Sequence, residues 1–198
     1  MPIRNDIESD YIDDTQLVEP VTPSLMLLFG GIDDKQACQV VAWILSANLS
    51  PNPPEELTLI INSSGGSLHS AFAIIEAMRG SSIPVKTVGM GQICSAGLLI
   101  FMNGVKGGRL ITPTCSIMSH QFSTATGGTY HELTNVQKEM NYTHQRILDA
   151  YVECTGKNEQ YIMKYLLCPH DSWLTPKEAI KHKLADRISG TNINKGEL

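Results

Sequence analysis

A serine, a histidine and a glycine pair are the groups in this chain whose types and spacing could do chemistry together. Ser95 lies in the stretch Gly89 to Gly104, Gly-Met-Gly-Gln-Ile-Cys-Ser-Ala-Gly-Leu-Leu-Ile-Phe-Met-Asn-Gly. A β-type run, Ile83 to Val88, leads into it, and Gly89 and Gly91 permit a tight turn. After Ser95 the chain is apolar on every face until Asn103-Gly104, which reads as a short buried helix and its stop. Ser95 therefore stands where a strand becomes a helix, close to orphan N–H groups and the positive end of a helix dipole. The chemistry would be nucleophilic attack by a hydroxyl, which needs an adjacent base. The same position suits an ordinary N-cap serine, and this window alone favours that reading. His120, 25 residues further on, ends another β-like run. It could be the base, although a lone histidine at a strand end is more often structural. Gly65-Gly66 follows the run Leu57 to Ile61 through Asn62-Ser63-Ser64. It could aim a backbone N–H at a developing oxyanion, or simply form a tight turn. It matches neither glycine-rich phosphate pattern.

These groups need a scaffold, and the periodicity describes one. Ser24 to Phe29 reads as a strand ending at Gly30-Gly31, and Asp33 or Asp34 can cap the next helix. Ala37, Val40, Val41, Ile44 and Leu45 repeat there at helical spacing. Pro51, Pro53 and Pro54 enforce a loop before the strand Leu57 to Ile61. Leu68, Ala71, Phe72, Ile75 and Met78 then line a second helix, closed at Gly80. Strand, helix, strand, helix, strand predicts an α/β fold of right-handed βαβ units with a mostly parallel sheet. Arg109 to Thr112 and Ser116 to His120 read as short strands split by Pro113. Gly127-Gly128 precedes a helical pattern over about 129–153, with Leu133, Val136, Met140, Ile147 and Tyr151 on one stripe. A helix of that length exceeds the usual ~11–12 residues. It is expected to project and pack against a neighbouring subunit. Glu159 to Leu167 is a shorter helix, and Thr175, Pro176 and Glu178 spell the capped start of the last one. The organisation expected is an acidic arm over residues 1–23 and one domain over 24–198.

Composition excludes several classes. Residues 1–20 hold six acids and one base, which equals the whole formal charge of −5. The body is thus balanced and has no bulk attraction for nucleic acid. The arm itself reads as a solvated tail. No apolar run is long enough to span a membrane, and the start has no apolar signal core. Five cysteines without a Cys-x-x-Cys pair point to reduced thiols in a cytoplasm-like compartment, with no zinc site. His69, His131, His144 and His182 are scattered and read as surface or packing residues.

Together these pieces resemble the ClpP family, the Clp-type serine peptidases, over about Ser24 to Ile188. Asn62-Ser63-Ser64-Gly65-Gly66 is similar to the family's Asn-Ser-Pro-Gly-Gly segment, with Ser64 in place of proline. Gly89 to Gly97 resembles its Gly-x-Ala-x-Ser-Met-Gly nucleophile segment, and Met118-Ser119-His120-Gln121 its Met-Ile-His-Gln segment. Asp171-Ser172-Trp173-Leu174 through Glu178-Ala179 resembles its Asp-x-Phe-Leu-x-x-x-Glu-Ala segment. The 51-residue interval from His120 to Asp171 is slightly long and suggests a small insertion after His120.

The resemblance implies a Ser95-His120-Asp171 triad, with Ser95 attacking, His120 moving its proton and Asp171 orienting the imidazole. It implies an oxyanion hole from the N–H groups of Gly65 and Ala96, the latter replacing the family's methionine. Cys94 is then an inert apolar neighbour. A crotonase-like subunit is expected, closing into seven-membered rings that stack in pairs through the long handle helix. No metal or cofactor is expected. ATP would be used by a partner AAA+ unfoldase that feeds unfolded proteins to the chamber. Three departures bear on those partners. Val18 to Pro23 replaces the family's Ile-Tyr-Ser-Arg-Leu-Leu-type stretch, which bears on unfoldase docking. Pro169-His170 replaces an Asp-Arg pair, which bears on ring coupling, and Lys183 stands where glycine is common. The alternative within the class is an ATPase-independent peptidase or capsid-maturation protease. Outside it stand a scaffold subunit with a lapsed triad and a crotonase-type acyl-thioester enzyme. The second of these would not need Ser95, His120 and Asp171 together.

Overall fold

The computed structural model describes residues 19–190, so most of the acidic arm, residues 1–18, lies outside the described residues. β1 (Leu25–Ile32), α1 (Asp34–Asn48), β2 (Leu57–Gly66), α2 (Leu68–Gly80) and β3 (Val85–Cys94) are parallel strands joined by helical crossovers. Short polar side chains start both helices. Asp33 Oδ1 accepts from Gln36 N–H at 2.8 Å, and Ser67 Oγ accepts from Ser70 N–H at 3.2 Å. The helical stripes of α1 and α2 are buried at Ala37, Val40 and Ile44, and at Ala71, Ile75 and Met78. Leu57, Leu59 and Ile61 of β2 join that main core, while Ile60 between them packs with Val88 and Leu110 in a smaller cluster. That alternation is the two-residue period of a strand.

α3 (Ala96–Met102) follows β3, then β4 (Arg109–Ile111), β5 (Ser116–Ser119), α4 (Tyr130–Thr155), α5 (Glu159–Tyr165), β6 (Ser172–Leu174), α6 (Pro176–Lys181) and β7 (Arg187–Ile188). The sheet runs β1-β2-β3-β4-β7, and β5 and β6 lie off that path. β3 is the branch point. Its first half pairs with β4 and its last residues, Gln92 to Cys94, pair with β5. β6 closes the arrangement antiparallel to β5.

Two expected turns are not turns. β2 continues through Gly65-Gly66, paired with Gly31 and Ile32 of β1, and β3 continues through Gly89 and Gly91 to Cys94. Glycine makes both extensions possible: φ is +102° at Gly65, +148° at Gly66 and +69° at Gly91. The chain reverses direction only at Ser95. The helices and β1, β4 and β5 fall where the sequence places them within a few residues, whereas β6 and β7 are strands the sequence did not announce. The last helix carries the expected cap, with Thr175 N–H donating to Glu178 Oε2 at 2.8 Å. Lys183 has φ of +62°, the left-handed region in which glycine is the easy residue.

The body is pinned by Arg109, which is 4% exposed. Its NH2 donates to Asp186 Oδ1 at 2.6 Å and its Nε to Asp186 Oδ2 at 3.0 Å. Its NH1 donates to the carbonyls of Met102 and Cys154, at the ends of α3 and α4. One side chain thus ties β4 to α3, α4 and the segment before β7. Burial pushes the Asp186 carboxyl up, but the Arg109 side-chain and backbone hydrogen bonds, its charge and the Gly107 N–H outweigh this and hold it below the usual range. Arg109→Ala should cost about 3 kcal/mol or more, because it leaves a partly buried carboxylate unpaired. The sign with pH follows from the lowered folded value. The Asp186 contribution is present above the ordinary carboxylate pKa of about 4 and lost as pH falls through the lower one. Urea midpoints measured from pH 7 to pH 3 should fall in the wild type and fall less in Asp186→Asn.

Candidate active site

The register of three strands assembles the site. Cys94 of β3 pairs with Met118 of β5, and Ser95 N–H donates to Met118 O at 3.0 Å. Ser119 of β5 pairs antiparallel with Ser172 of β6. The residue after Ser119 is therefore opposite the residue before Ser172, so His120 meets Asp171. The side chains confirm the arithmetic. His120 Nε2 is 2.7 Å from Ser95 Oγ, and His120 Nδ1 is 3.3 Å from Asp171 Oδ1. Three residues far apart in the chain form one line of contacts. Residues 121–129, after His120, form an irregular stretch that leads into α4.

Ser95 is not an N-cap in the ordinary sense. Its φ is +54° and ψ −123°, and its side chain makes no cap hydrogen bond. A non-glycine residue in that region is strained by about 1–3 kcal/mol, and the surrounding structure must hold it there. The ladder to Met118 holds one side, and Leu99 N–H donating to Ser95 O at 3.1 Å holds the other. The strain turns Oγ away from the helix end and onto His120.

α3 is built to leave that end free. All seven of its residues are buried. Its last four carbonyls have partners: Asn103 Nδ2 for Leu99, Asn103 N–H for Ile100, Thr87 Oγ1 for Phe101 and Arg109 NH1 for Met102. The opposite end keeps the amides of Ala96, Gly97 and Leu98 beside Ser95, as every helix start must.

Gly65 touches the serine directly. A Cβ at Gly65 would lie 2.7 Å from Ser95 Cβ and 3.2 Å from its Oγ. Its own N–H, however, donates to Ser63 Oγ at 3.1 Å within β2. Ser67 N–H donates to Ile32 O on the β1 side. Successive amides of a strand point to opposite edges. The Gly66 N–H therefore faces the β3 edge, where Ser95 stands. Cys94 is 2% exposed, and burial pushes its thiol up, with the Asp171 charge adding to this and a backbone bond from Met118 opposing it. A neutral buried thiol is a poor nucleophile.

A cleft of about 510 Å³ opens beside Ser95 and His120. One wall is α2 with Leu68 and His69, and the other is α4 with Val136, Glu139 and Met140. Periodicity placed Val136 and Met140 on a stripe but could not show that the stripe overhangs the serine, and it did not single out Glu139. Among the described residues no group of three or more His, Cys, Asp or Glu is placed to hold a metal ion. The five cysteines are unpaired. No helix among the described residues is long and apolar enough to cross a membrane.

A serine forced onto a histidine that in turn meets a carboxylate, at the mouth of a cleft in an α/β sheet, is the arrangement of a serine hydrolase. The family model for Clp protease matches residues 17–192. The chain is 30% identical to ATP-dependent Clp protease proteolytic subunit 1 of Corynebacterium jeikeium, over 83% of this chain and 86% of that one. It is 31% identical to the corresponding subunit of Deinococcus radiodurans, over 83% and 80%. It is 32% identical to proteolytic subunit 2 of Tropheryma whipplei, over 79% and 86%. The chain belongs to the Clp protease family and is by class a serine endopeptidase.

Proposed function

We propose that this chain hydrolyses peptides and unfolded proteins through Ser95, His120 and Asp171. The observation that carries the reading is the 2.7 Å contact between His120 Nε2 and a strained Ser95 Oγ. Ser95 Oγ attacks the scissile carbonyl while His120 Nε2 takes its proton. His120 then gives that proton to the leaving amine, and water repeats the sequence on the acyl-enzyme. Asp171 holds Nδ1 and stabilises the imidazolium. At 3.3 Å, with Asp171 55% exposed, that contact is loose, and it tightens when the ring is charged. The oxyanion is taken by the Ala96 N–H, first of the free α3 amides, and by the Gly66 N–H. Gly66 replaces the Gly65 of the sequence reading, because the Gly65 amide is engaged by Ser63 Oγ. The steps use side chains and backbone alone.

The working form is an assembly of copies of this chain in rings, in a reducing compartment. The first half of α4 supports this. Tyr130, Leu133 and Tyr142 are exposed, and burial within the chain begins only at Thr143. A projecting helix with exposed tyrosines is a surface for a second copy. His170, in place of the arginine expected between rings, is exposed, with its Nε2 3.7 Å from its own chain's Cys168 Sγ. Since relatives carry the name ATP-dependent Clp protease proteolytic subunit, an ATP-driven unfoldase is the partner proposed. The test is turnover of a short fluorogenic peptide and of a folded, tagged protein, with native mass measured on the same sample. Peptide cleavage alone, with protein cleavage only when an unfoldase and ATP are added, is the expected result. Folded protein cut without ATP would replace the unfoldase by an ATPase-independent mode. No peptide cleavage by an intact assembly would remove the peptidase reading.

A further inference from the structure

The carboxylate of Asp171 has one partner among the described residues, His120 Nδ1 at 3.3 Å, and it is 55% exposed. Its place is therefore set by the segment that carries it, residues 166–171 between α5 and β6. The two neighbours of His120 grip that segment. Ser119 Oγ donates to Leu166 O at 2.7 Å, and Gln121 Nε2 donates to Leu167 O at 2.8 Å. Behind Ser119 stands Tyr151 of α4, with its hydroxyl 2.7 Å from Ser119 Oγ. A carbonyl can only accept, so the single serine hydrogen goes to Leu166 O and Tyr151 donates to Ser119. Ser119, Leu166 and Tyr151 are all buried, so bulk solvent does not compete for these bonds. Burial also pushes the Tyr151 phenol up to about 12, which keeps its proton in place as a donor. Hydroxyls bonded in series in such a setting strengthen one another.

Resting on the peptidase reading above, we propose that Ser119 and Tyr151 are positioning residues, which hold Asp171 to His120 through the Leu166 carbonyl. Successive side chains of a strand point to opposite faces, so Ser119 works from behind the face that carries His120. The β5–β6 ladder fixes Ser172 beside Ser119 at one end of the segment. The Ser119 hydroxyl fixes Leu166 at the other end. Asp171 hangs between these two anchors. Its carboxylate has to meet an imidazolium that exists only while the proton is in transit. A segment ordered beforehand saves reorganisation at that moment. Removing Ser119 Oγ leaves the Leu166 carbonyl and the Tyr151 hydroxyl unpaired, and buried unpaired groups move to find new partners. Alanine or phenylalanine would fill most of the space, but neither would draw Leu166 O toward β5. The contribution of the two hydroxyls is thus one of direction, passed on to Asp171.

The test uses the full-length assembled chain and one fluorogenic peptide. Ser119→Ala should lower kcat about tenfold and leave KM within about twofold, since a shift of about 1 Å at a catalytic group costs about a hundredfold and the segment stays anchored at β6. Tyr151→Phe removes only a hydroxyl and should lower kcat about threefold, the scale of one neutral hydrogen bond. The double variant should be no slower than Ser119→Ala, because the bonds act in series. In Asp171→Asn the further loss from Ser119→Ala should vanish, read as the rate at which a fluorophosphonate labels Ser95. A residue that merely supports the fold would keep its effect there. Full kcat in both Ser119→Ala and Tyr151→Phe overturns the assignment, whatever their urea midpoints, and leaves the peptidase reading standing. An equal loss with and without the Asp171 carboxylate overturns it as well, since the effect then does not pass through Asp171. If Ser119→Ala fails to fold, Tyr151→Phe, alone and in Asp171→Asn, decides by the same rule. If the wild type neither cuts the peptide nor takes the label, the peptidase reading fails first.

Discussion

Ser95→Ala and His120→Ala should each lower kcat/KM for a fluorogenic peptide by about four to six orders of magnitude, and the double variant should be little worse than either. The reason is the single line of contacts from Ser95 Oγ to His120 Nε2 to Asp171. A hydroxyl without its base is as inert as no hydroxyl, so the losses are shared rather than added. Asp171→Asn should cost less than either, since Asp171 is 55% exposed and its contact with the ring is longer. A fluorophosphonate should label the wild type on Ser95 and leave Ser95→Ala unmodified. Label found on Cys94 in that variant would transfer the nucleophile to the thiol. Effects of the two single variants that multiply in the double one would show that Ser95 and His120 do not act as a unit.

Gly65→Ala should nearly abolish turnover while leaving the chain folded. The new Cβ would stand 2.7 Å from Ser95 Cβ and 3.0 Å from the Cys94 carbonyl, and alanine must also accept a φ of +102°. Something has to shift, and the strained Ser95 is the neighbour with least room. A displacement of about 1 Å at a nucleophile can cost about a hundredfold in rate. Gly66→Ala is a different injury. Its Cβ would run into the backbone of Ile32, 2.7 Å from the amide nitrogen and 3.0 Å from the carbonyl carbon. The β1–β2 ladder would have to open there. Gly66→Ala should therefore lower the urea midpoint more than Gly65→Ala does, and it should lose activity as well. Circular dichroism with peptide turnover separates the two. Full activity in Gly65→Ala would mean that Ser95 tolerates the approach, and with it that the strain at Ser95 is incidental.

The α/β class, the order of the first three strands and two helices, and the long helix near 129–153 were legible because each rests on local periodicity and local stops. The caps at Asp33, Ser67 and Thr175 are local too; residue type alone named Thr175 and narrowed the first to Asp33 or Asp34. The ends of β2 and β3 were misplaced for a related reason. Gly65-Gly66 and Gly89-x-Gly91 look like turns in isolation, and pairing of the first with Gly31 and Ile32, and of Gly89 with Ile61 and Ile111, keeps them in the sheet. The donor on the glycine pair shows the same limit. Residue type says that an amide is present, but which edge it faces depends on the ladder. β6 and β7 are strands of three and two residues, too short to carry a period, and exist only because β5 and β4 were there to pair with.

By itself, the sequence determined which residues could act. It contains a serine before a wholly apolar helix, a histidine 25 residues on, an aspartate before a capped helix and a glycine pair just after a strand. Those are properties of residue type and order. Tertiary structure alone decided that these residues meet. The registers Cys94 with Met118 and Ser119 with Ser172 bring together positions separated by 25 and 51 residues, and no local rule sets a register between distant strands. It also decided that Ser95 is bent toward His120 rather than capping its helix, because that conformation is unfavourable alone and persists only when packing on both sides imposes it. The acid of the cleft, Glu139, belongs wholly to the second category. On the helix it is one polar residue among many, and it lines the cleft only because α4 forms one of the walls.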